Sequence, residues 1–278
     1  MDMRTGADTF KSHKGQNIYY RSWLPDDEPR AVLLIVHGLA EHSGRYGNLV
    51  NHFAPRGYAL YGPDHIGHGK SDGTRVFVER FDDFIRPLNA LFRMIRQWHP
   101  GKPVYLVGHS MGGLIAVIYL IENPEDMAGA ILSAPAVKIP ERMSSFAVLA
   151  AMVLSNLFPK IGIMELDSDG ISRDNAVVYA YRHDPLVYRG KITARLGTEM
   201  YRAMQRVASQ ASAIATPLLI LQGSADRMVS PEGARTLYEK AGTTDKRLKL
   251  YDGLYHEVFN EPEYEEIMKE VERWLAMR

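Results

Sequence analysis

The stretch Pro103-Val104-Tyr105-Leu106-Val107-Gly108-His109-Ser110-Met111-Gly112-Gly113 decides the fold. A short apolar run feeds a glycine-flanked serine, and a second apolar segment, 114–121, follows at once. This is a G-x-S-x-G turn in the setting of strand, sharp turn and helix, which lifts a nucleophilic hydroxyl to the top of a sheet. Such a turn strains the serine backbone and crowds its surroundings, so Gly108 and Gly112 must lack side chains. The helix that follows would set its positive end behind Ser110.

Outward from this turn, strand-like and helix-like segments alternate. Residues 31–36 (Ala-Val-Leu-Leu-Ile-Val) form a continuous apolar run, the pattern of a strand buried on both faces. Residues 43–55 read as helix, 58–61 as a short strand, and 81–98 as a helix stopped by His99-Pro100-Gly101. Further strands are expected at 104–107, 130–132, 217–221 and 248–251, with a helix from Pro231 and another from about Glu261-Pro262 to the chain end. The alternation predicts an α/β fold with a mainly parallel, doubly wound sheet. It breaks between Val137 and Ala215, where one apolar block, 146–158, stands without a convincing buried strand. We therefore expect a core in two parts, 1–137 and 215–278, and a mostly helical cap inserted at 138–214. Leaving the sheet after the strand that follows the serine, the cap would overhang Ser110 at the carboxyl edge, where open α/β sheets bind ligands.

Composition narrows the function. The 278 residues carry 33 acidic and 33 basic side chains, a balance that offers no electrostatic footprint for nucleic acid. No cysteine is present, which excludes disulfides, thiol nucleophiles and thiolate metal sites and is compatible with a reducing compartment. The first residues lack the apolar run of a secretory signal, and no stretch approaches the ~20 apolar residues of a membrane span. A soluble, cytoplasmic protein is expected.

A serine hydroxyl needs a base, usually a histidine steadied by a carboxylate. In this strand–turn–helix architecture the order is serine, acid, histidine, each on a loop after a strand. Leu218-Leu219-Ile220-Leu221-Gln222-Gly223-Ser224-Ala225-Asp226 supplies the acid, Asp226. Beyond the serine only His183 and His256 remain, and His183 precedes the acid. His256 follows the strand at 248–251 through Asp252-Gly253-Leu254-Tyr255, and Asp252 reads as a turn residue. The expected triad is Ser110, Asp226 and His256. Two backbone N–H groups would hold the oxyanion, those of Met111 and of Leu39 in His37-Gly38-Leu39-Ala40. His37 reads as a loop organiser. The segment Pro63-Asp64-His65-Ile66-Gly67-His68-Gly69-Lys70-Ser71 lacks the spacing of a phosphate loop and reads as a structural turn, and no metal site is expected from Asp64, His65 and His68.

With these residues in place the chain resembles the monoacylglycerol lipase family of α/β-hydrolases. The resemblance rests on His37-Gly38-Leu39-Ala40-Glu41-His42-Ser43-Gly44-Arg45-Tyr46, Gly67-His68-Gly69-Lys70-Ser71 and Gly108-His109-Ser110-Met111-Gly112-Gly113. It continues through Leu132-Ser133-Ala134-Pro135, Asp184-Pro185-Leu186, Gln222-Gly223-Ser224-Ala225-Asp226 and Tyr255-His256-Glu257. The loop from His37 to Tyr46 is its most specific part. The resemblance implies the α/β-hydrolase fold, a mobile helical cap over an apolar tunnel for one acyl chain, and no cofactor. It also implies that Glu41, Arg45, His109 and Tyr181 contact the glycerol hydroxyls directly or through water; from the residues alone, Glu41 and Arg45 read equally well as a loop salt bridge. Two departures stand out: the chain has none of the pocket cysteines of animal members, and Phe259 stands where some members have a second histidine.

The expected activity is a serine carboxylester hydrolase cleaving monoacylglycerols. A lysophospholipase or broad carboxylesterase on the same triad is the alternative, and a non-catalytic lipid-binding protein of this fold the third reading. At thirteen residues the apolar block 146–158 is too short to span a bilayer, but as a cap helix it could rest at a membrane surface or simply pack over the tunnel.

Overall fold

The continuous apolar run 31–36 becomes a strand with every residue buried, and the rest of the chain is wound around it. The structure, a computed structural model, describes residues 3–124, 126–138 and 145–278, with the side chains of 145–148 outside the description. Residues 139–144 of the expected cap, 138–214, therefore lie outside the described residues, as do the side chains of 146–148 in the apolar block 146–158.

Ten strands are described: β1 (Arg4–Lys11), β2 (Asn17–Leu24), β3 (Ala31–Val36), β4 (Tyr58–Pro63), β5 (Val104–His109), β6 (Gly129–Ser133), β7 (Gly162–Met164), β8 (Ile192–Thr193), β9 (Leu218–Gly223) and β10 (Lys246–Tyr251). The α-helices are α1 (Gly47–Phe53), α2 (Asp82–Trp98), α3 (Met111–Glu122), α4 (Ser145–Leu157), α5 (Asn175–His183), α6 (Ala194–Gln210), α7 (Pro231–Lys240) and α8 (Tyr264–Ala276). Eight strands form one sheet in the order β1-β2-β4-β3-β5-β6-β9-β10. It is antiparallel at β1–β2 and β2–β4 and parallel from β4 to β10.

Period-two alternation divides the core between the two faces. Val32, Leu34 and Val36 of β3 pack with α2 and α3 residues such as Leu88, Leu91 and Leu114. Leu33 and Ile35 pack on the other face with Leu49 and Phe53 of α1 and Val271 and Trp274 of α8. The sheet is doubly wound, as the alternation predicts.

Three features differ from the sequence reading. The N-terminal hairpin β1–β2 is not among the expected strands: every residue of β1 except Phe10 is exposed, and β2 fully buries only Ile18 and Tyr20. The helix read at 43–55 is α1 flanked by short 3₁₀ turns, Ser43–Arg45 and Ala54–Arg56. The described residues between β6 and β9 are mostly helical but also hold the antiparallel pair β7–β8, three and two residues long, too short for periodicity to reveal.

Candidate active site

Four parallel strands end on one edge of the sheet, and the residues of interest follow them. His37-Gly38-Leu39 follows β3, Ser110 follows β5, Asp226 lies just past β9, and His256 follows β10. Ser110 sits at φ 53°, ψ −118°, a left-handed conformation that costs a non-glycine residue of order 1–3 kcal/mol. The two glycines flanking it are required by close approach: a Cβ on Gly108 would stand 2.7 Å from the Gly112 carbonyl oxygen, and one on Gly112 would collide with the Val36 carbonyl. The elbow is thus locked between β3 and α3.

Asp226 and His256 are joined by a 2.8 Å contact from His256 Nδ1 to Asp226 Oδ2, with both side chains buried. Asp226 is held on its other oxygen by the N–H groups of Met228 and Val229, and Gln222 donates to Oδ2. Burial pushes the Asp226 carboxyl up, yet His256 and those N–H groups more than reverse it and leave the pKa lowered. Burial pulls the His256 imidazole down, but the charge of Asp226, its hydrogen bond and the charge of Glu257 leave it raised. Ser110 and His256 line the same cavity. Among the described residues the Ser110 hydroxyl makes no hydrogen bond; bonds from a nucleophile to its base often tighten only when substrate binds. The rejected candidates lie elsewhere: His183 is exposed and bonded to the Tyr179 carbonyl, and Asp252 is exposed and bonded to Ser224.

The N–H groups of Leu39 and Met111 have no hydrogen-bond partner among the described residues, whereas the Gly38 N–H donates to Glu41 Oε1 at 2.6 Å. Met111 opens α3, so its N–H lies in the first turn, which has no intrahelical acceptor. Behind this loop stands a buried group of histidines. The His65 N–H donates to His37 Nε2 at 2.8 Å, which places the His37 proton on Nδ1 toward the Gly38 carbonyl. His65 Nε2 reaches the His37 carbonyl at 3.2 Å. Burial drives all three imidazoles down, His37 well below its ordinary value, His65 to about 3 and His68 to about 4. These rings organise the loop, as read for His37. Asp64 braces the next segment by accepting from Ser43, Arg21 and the Lys70 N–H.

The cavity measures about 670 Å³, within the ~300–1,000 Å³ common for small-molecule sites. Leu154, Ile163, Leu166, Ile192, Met200 and Met204 line its apolar part. Its polar lining includes a hydrogen-bonded cluster around Arg45. Arg45 reaches Glu257 through both Nη atoms, at 2.6 and 2.8 Å, and Glu41 at 2.8 Å. Tyr181 lays its ring 4.6 Å from the Arg45 guanidinium. His109 holds Ser133 through Nδ1 and packs its ring 4.7 Å from that of His256; burial and that neighbour push it down to about 3. Glu41, Arg45, His109 and Tyr181 all line the cavity, and the salt bridge between the first two is real. Glu257 is the residue that sequence reasoning missed; its place directly after His256 was the available signal.

A family model described as serine aminopeptidase S33 (Hydrolase_4) matches residues 27–263. The chain belongs to this family of serine hydrolases. Within it, the chain is 38% identical to the monoacylglycerol lipase of Mycolicibacterium smegmatis over 268 residues, covering 96% of both chains. It is 38% identical to the human monoglyceride lipase over 95% of this chain and 88% of that one. Among solved structures it matches the Paleococcus ferrophilus monoacylglycerol lipase with a TM-score of 0.84 and 31% identity, over 100% of this chain and 99% of that one. The family resemblance carried by the loop from His37 to Tyr46 thus holds along almost the whole chain of this α/β-hydrolase.

Proposed function

We propose that this serine hydrolase cleaves monoacylglycerols to a fatty acid and glycerol, with Ser110, His256 and Asp226 as its triad. The observation that carries this reading is a single cavity, mostly apolar, that meets Ser110 and His256 beside one compact polar cluster. An acyl chain fits the apolar part, and a small polyol fits the cluster.

His256 accepts the Ser110 proton as the serine oxygen attacks the ester carbonyl. Asp226 fixes the tautomer, with the Nδ1 proton facing Oδ2 and Nε2 left as the base. The N–H groups of Leu39 and Met111 receive the oxyanion. Collapse of the tetrahedral intermediate releases glycerol, protonated by His256, and leaves an acyl ester on Ser110. Water, deprotonated by the same imidazole, then releases the fatty acid. The chemistry calls for no metal or organic cofactor.

Contact with a membrane surface through the cap belongs to the same proposal. Leu149, Val153 and Leu157 fall at successive four-residue steps of α4 and are 59%, 51% and 68% exposed, so one apolar stripe faces outward. No helix among the described residues is long and apolar enough to cross a membrane. A peripheral position delivers a poorly soluble substrate to the cavity mouth.

The test compares mono-oleoylglycerol, dioleoylglycerol and oleoyl-lysophosphatidylcholine at equal mole fraction in mixed micelles, followed by a monoacylglycerol series of increasing chain length. The highest kcat/KM is expected on monoacylglycerols. A preference for the lysophospholipid would reassign the enzyme as a lysophospholipase, and equal rates on short soluble esters as a broad carboxylesterase.

A further inference from the structure

Three charged side chains are buried together beside the triad, and they connect two loops that must keep a fixed distance during the reaction. Glu257, which follows His256 in the chain, binds Arg45 through paired hydrogen bonds of 2.6 and 2.8 Å. Arg45 also binds Glu41 Oε2 at 2.8 Å. Glu41 Oε1 in turn accepts the Gly38 N–H at 2.6 Å and the Tyr46 hydroxyl at 2.9 Å. The side chains of Glu41, Arg45 and Glu257 are 5%, 9% and 6% exposed, so water screens these charges weakly.

Two geometric consequences follow. Glu41 ties down the Gly38 N–H, and the next residue, Leu39, lines the cavity. The backbone of Glu257 is fixed as well, its N–H donating to the Ile171 carbonyl at 2.7 Å and its carboxylate accepting from Asn260. The chain at His256 therefore has little freedom relative to Arg45. We propose that Glu257, acting through Arg45 and Glu41, is a positioning residue that locks the loop carrying the base to the loop carrying one oxyanion donor. This rests on the serine hydrolase reading of Ser110 and His256.

The cluster sets two carboxyl groups against one guanidinium: burial and the Glu257 charge push Glu41 up, while Arg45 holds Glu257 down. Asp226, Glu257, Glu41, Arg45 and His109 are the charged or titratable groups around His256. Glu257 and Glu41 both favour the imidazolium. The base must be neutral to act, so removing the Glu257 charge lets it work at lower pH. That shift reports the Glu257 charge alone; the positioning role is read from kcat at unchanged KM and from Arg45→Lys, which keeps every charge.

The experiment measures hydrolysis of p-nitrophenyl butyrate by wild type, Glu257→Gln, Glu41→Gln, the double variant and Ser110→Ala from pH 5 to 9, with thermal melting as a check on folding. For Glu257→Gln, kcat falls about 10–100-fold, the scale of a small misplacement away from the reacting atoms. KM stays within about threefold because the released interactions are not made to this substrate. The acid limb of kcat/KM moves to lower pH, and the double variant loses less than the product of the single losses. A folded Glu257→Gln enzyme with unchanged kcat and an unmoved acid limb overturns the proposal, as does a rise in KM alone. Should that variant fail to fold, Arg45→Lys keeps the charge but loses the paired hydrogen bonds; it should lose kcat with the acid limb in place, and unchanged kcat overturns the proposal. Retained turnover in Ser110→Ala would instead refute the underlying assignment.

Discussion

His256 Nδ1 lies 2.8 Å from Asp226 Oδ2, a buried pair formed between the loops after β9 and β10. Because those strands are adjacent and parallel, their carboxyl ends deliver both side chains to one place. The partner of the Nδ1 proton leaves Nε2 for the serine. Asp226→Asn should therefore cost ~10⁴ in kcat, the loss seen when a triad imidazole is held in the wrong tautomer. Steady-state hydrolysis of a soluble ester checks this, and a loss under tenfold would exclude Asp226 as the orienting acid.

The elbow makes a prediction about stability. Gly108→Ala would set a Cβ 2.7 Å from the Gly112 carbonyl oxygen and 3.0 Å from Ala116 Cβ. Overpacking of this kind costs about 1–3 kcal/mol. Urea denaturation should give a lower midpoint with an unchanged slope.

The buried histidines predict how the fold responds to acid. His65 and His68 stay neutral down to about 3 and about 4, whereas in the unfolded chain each takes up a proton near 6.5. Below that value the unfolded state binds more protons than the native one, so stability falls as pH drops, by about 1.4 kcal/mol per pH unit for each such histidine. His68 Nε2 is buried without a hydrogen-bond partner among the described residues. His68→Phe should accordingly flatten the slope of melting temperature against pH between about 6.5 and 4, where these groups part from their unfolded values. A slope equal to that of wild type would show that His68 does not carry it.

The cap stripe allows a direct test of membrane contact. Leu154 lines the cavity, so its replacement would disturb substrate as well as surface. Val153 and Leu157 instead share the outward face. The pair Val153→Asp and Leu157→Asp should weaken binding to phosphatidylcholine vesicles by tenfold or more, since each buried apolar side chain contributes ~1.5–3 kcal/mol. Hydrolysis of a short soluble ester should change little. Equal losses in both assays would remove the surface role.

Much of this architecture can be read in the sequence because it rests on local patterns. The run from Ala31 to Val36, the glycine-flanked Ser110 and the strand–loop order of Asp226 and His256 each carry their own signal. The edge strand β1 does not, because an exposed strand has no reason to alternate. Glu257 was hidden for a different reason. Its partners Arg45 and Glu41 lie more than 200 residues away, and only the folded sheet brings their loops together. The same holds for His42, which reaches Asp184 at 2.9 Å and ties the loop after β3 to the segment after α5.

Glycerol release from mono-oleoylglycerol by wild type and Ser110→Ala, both folded by thermal melting, tests the central claim most directly. Wild type should turn over, and the variant should lose on the order of 10⁶ in kcat, as removal of a triad nucleophile does. Turnover by Ser110→Ala near the wild-type rate, or none by wild type, would contradict it.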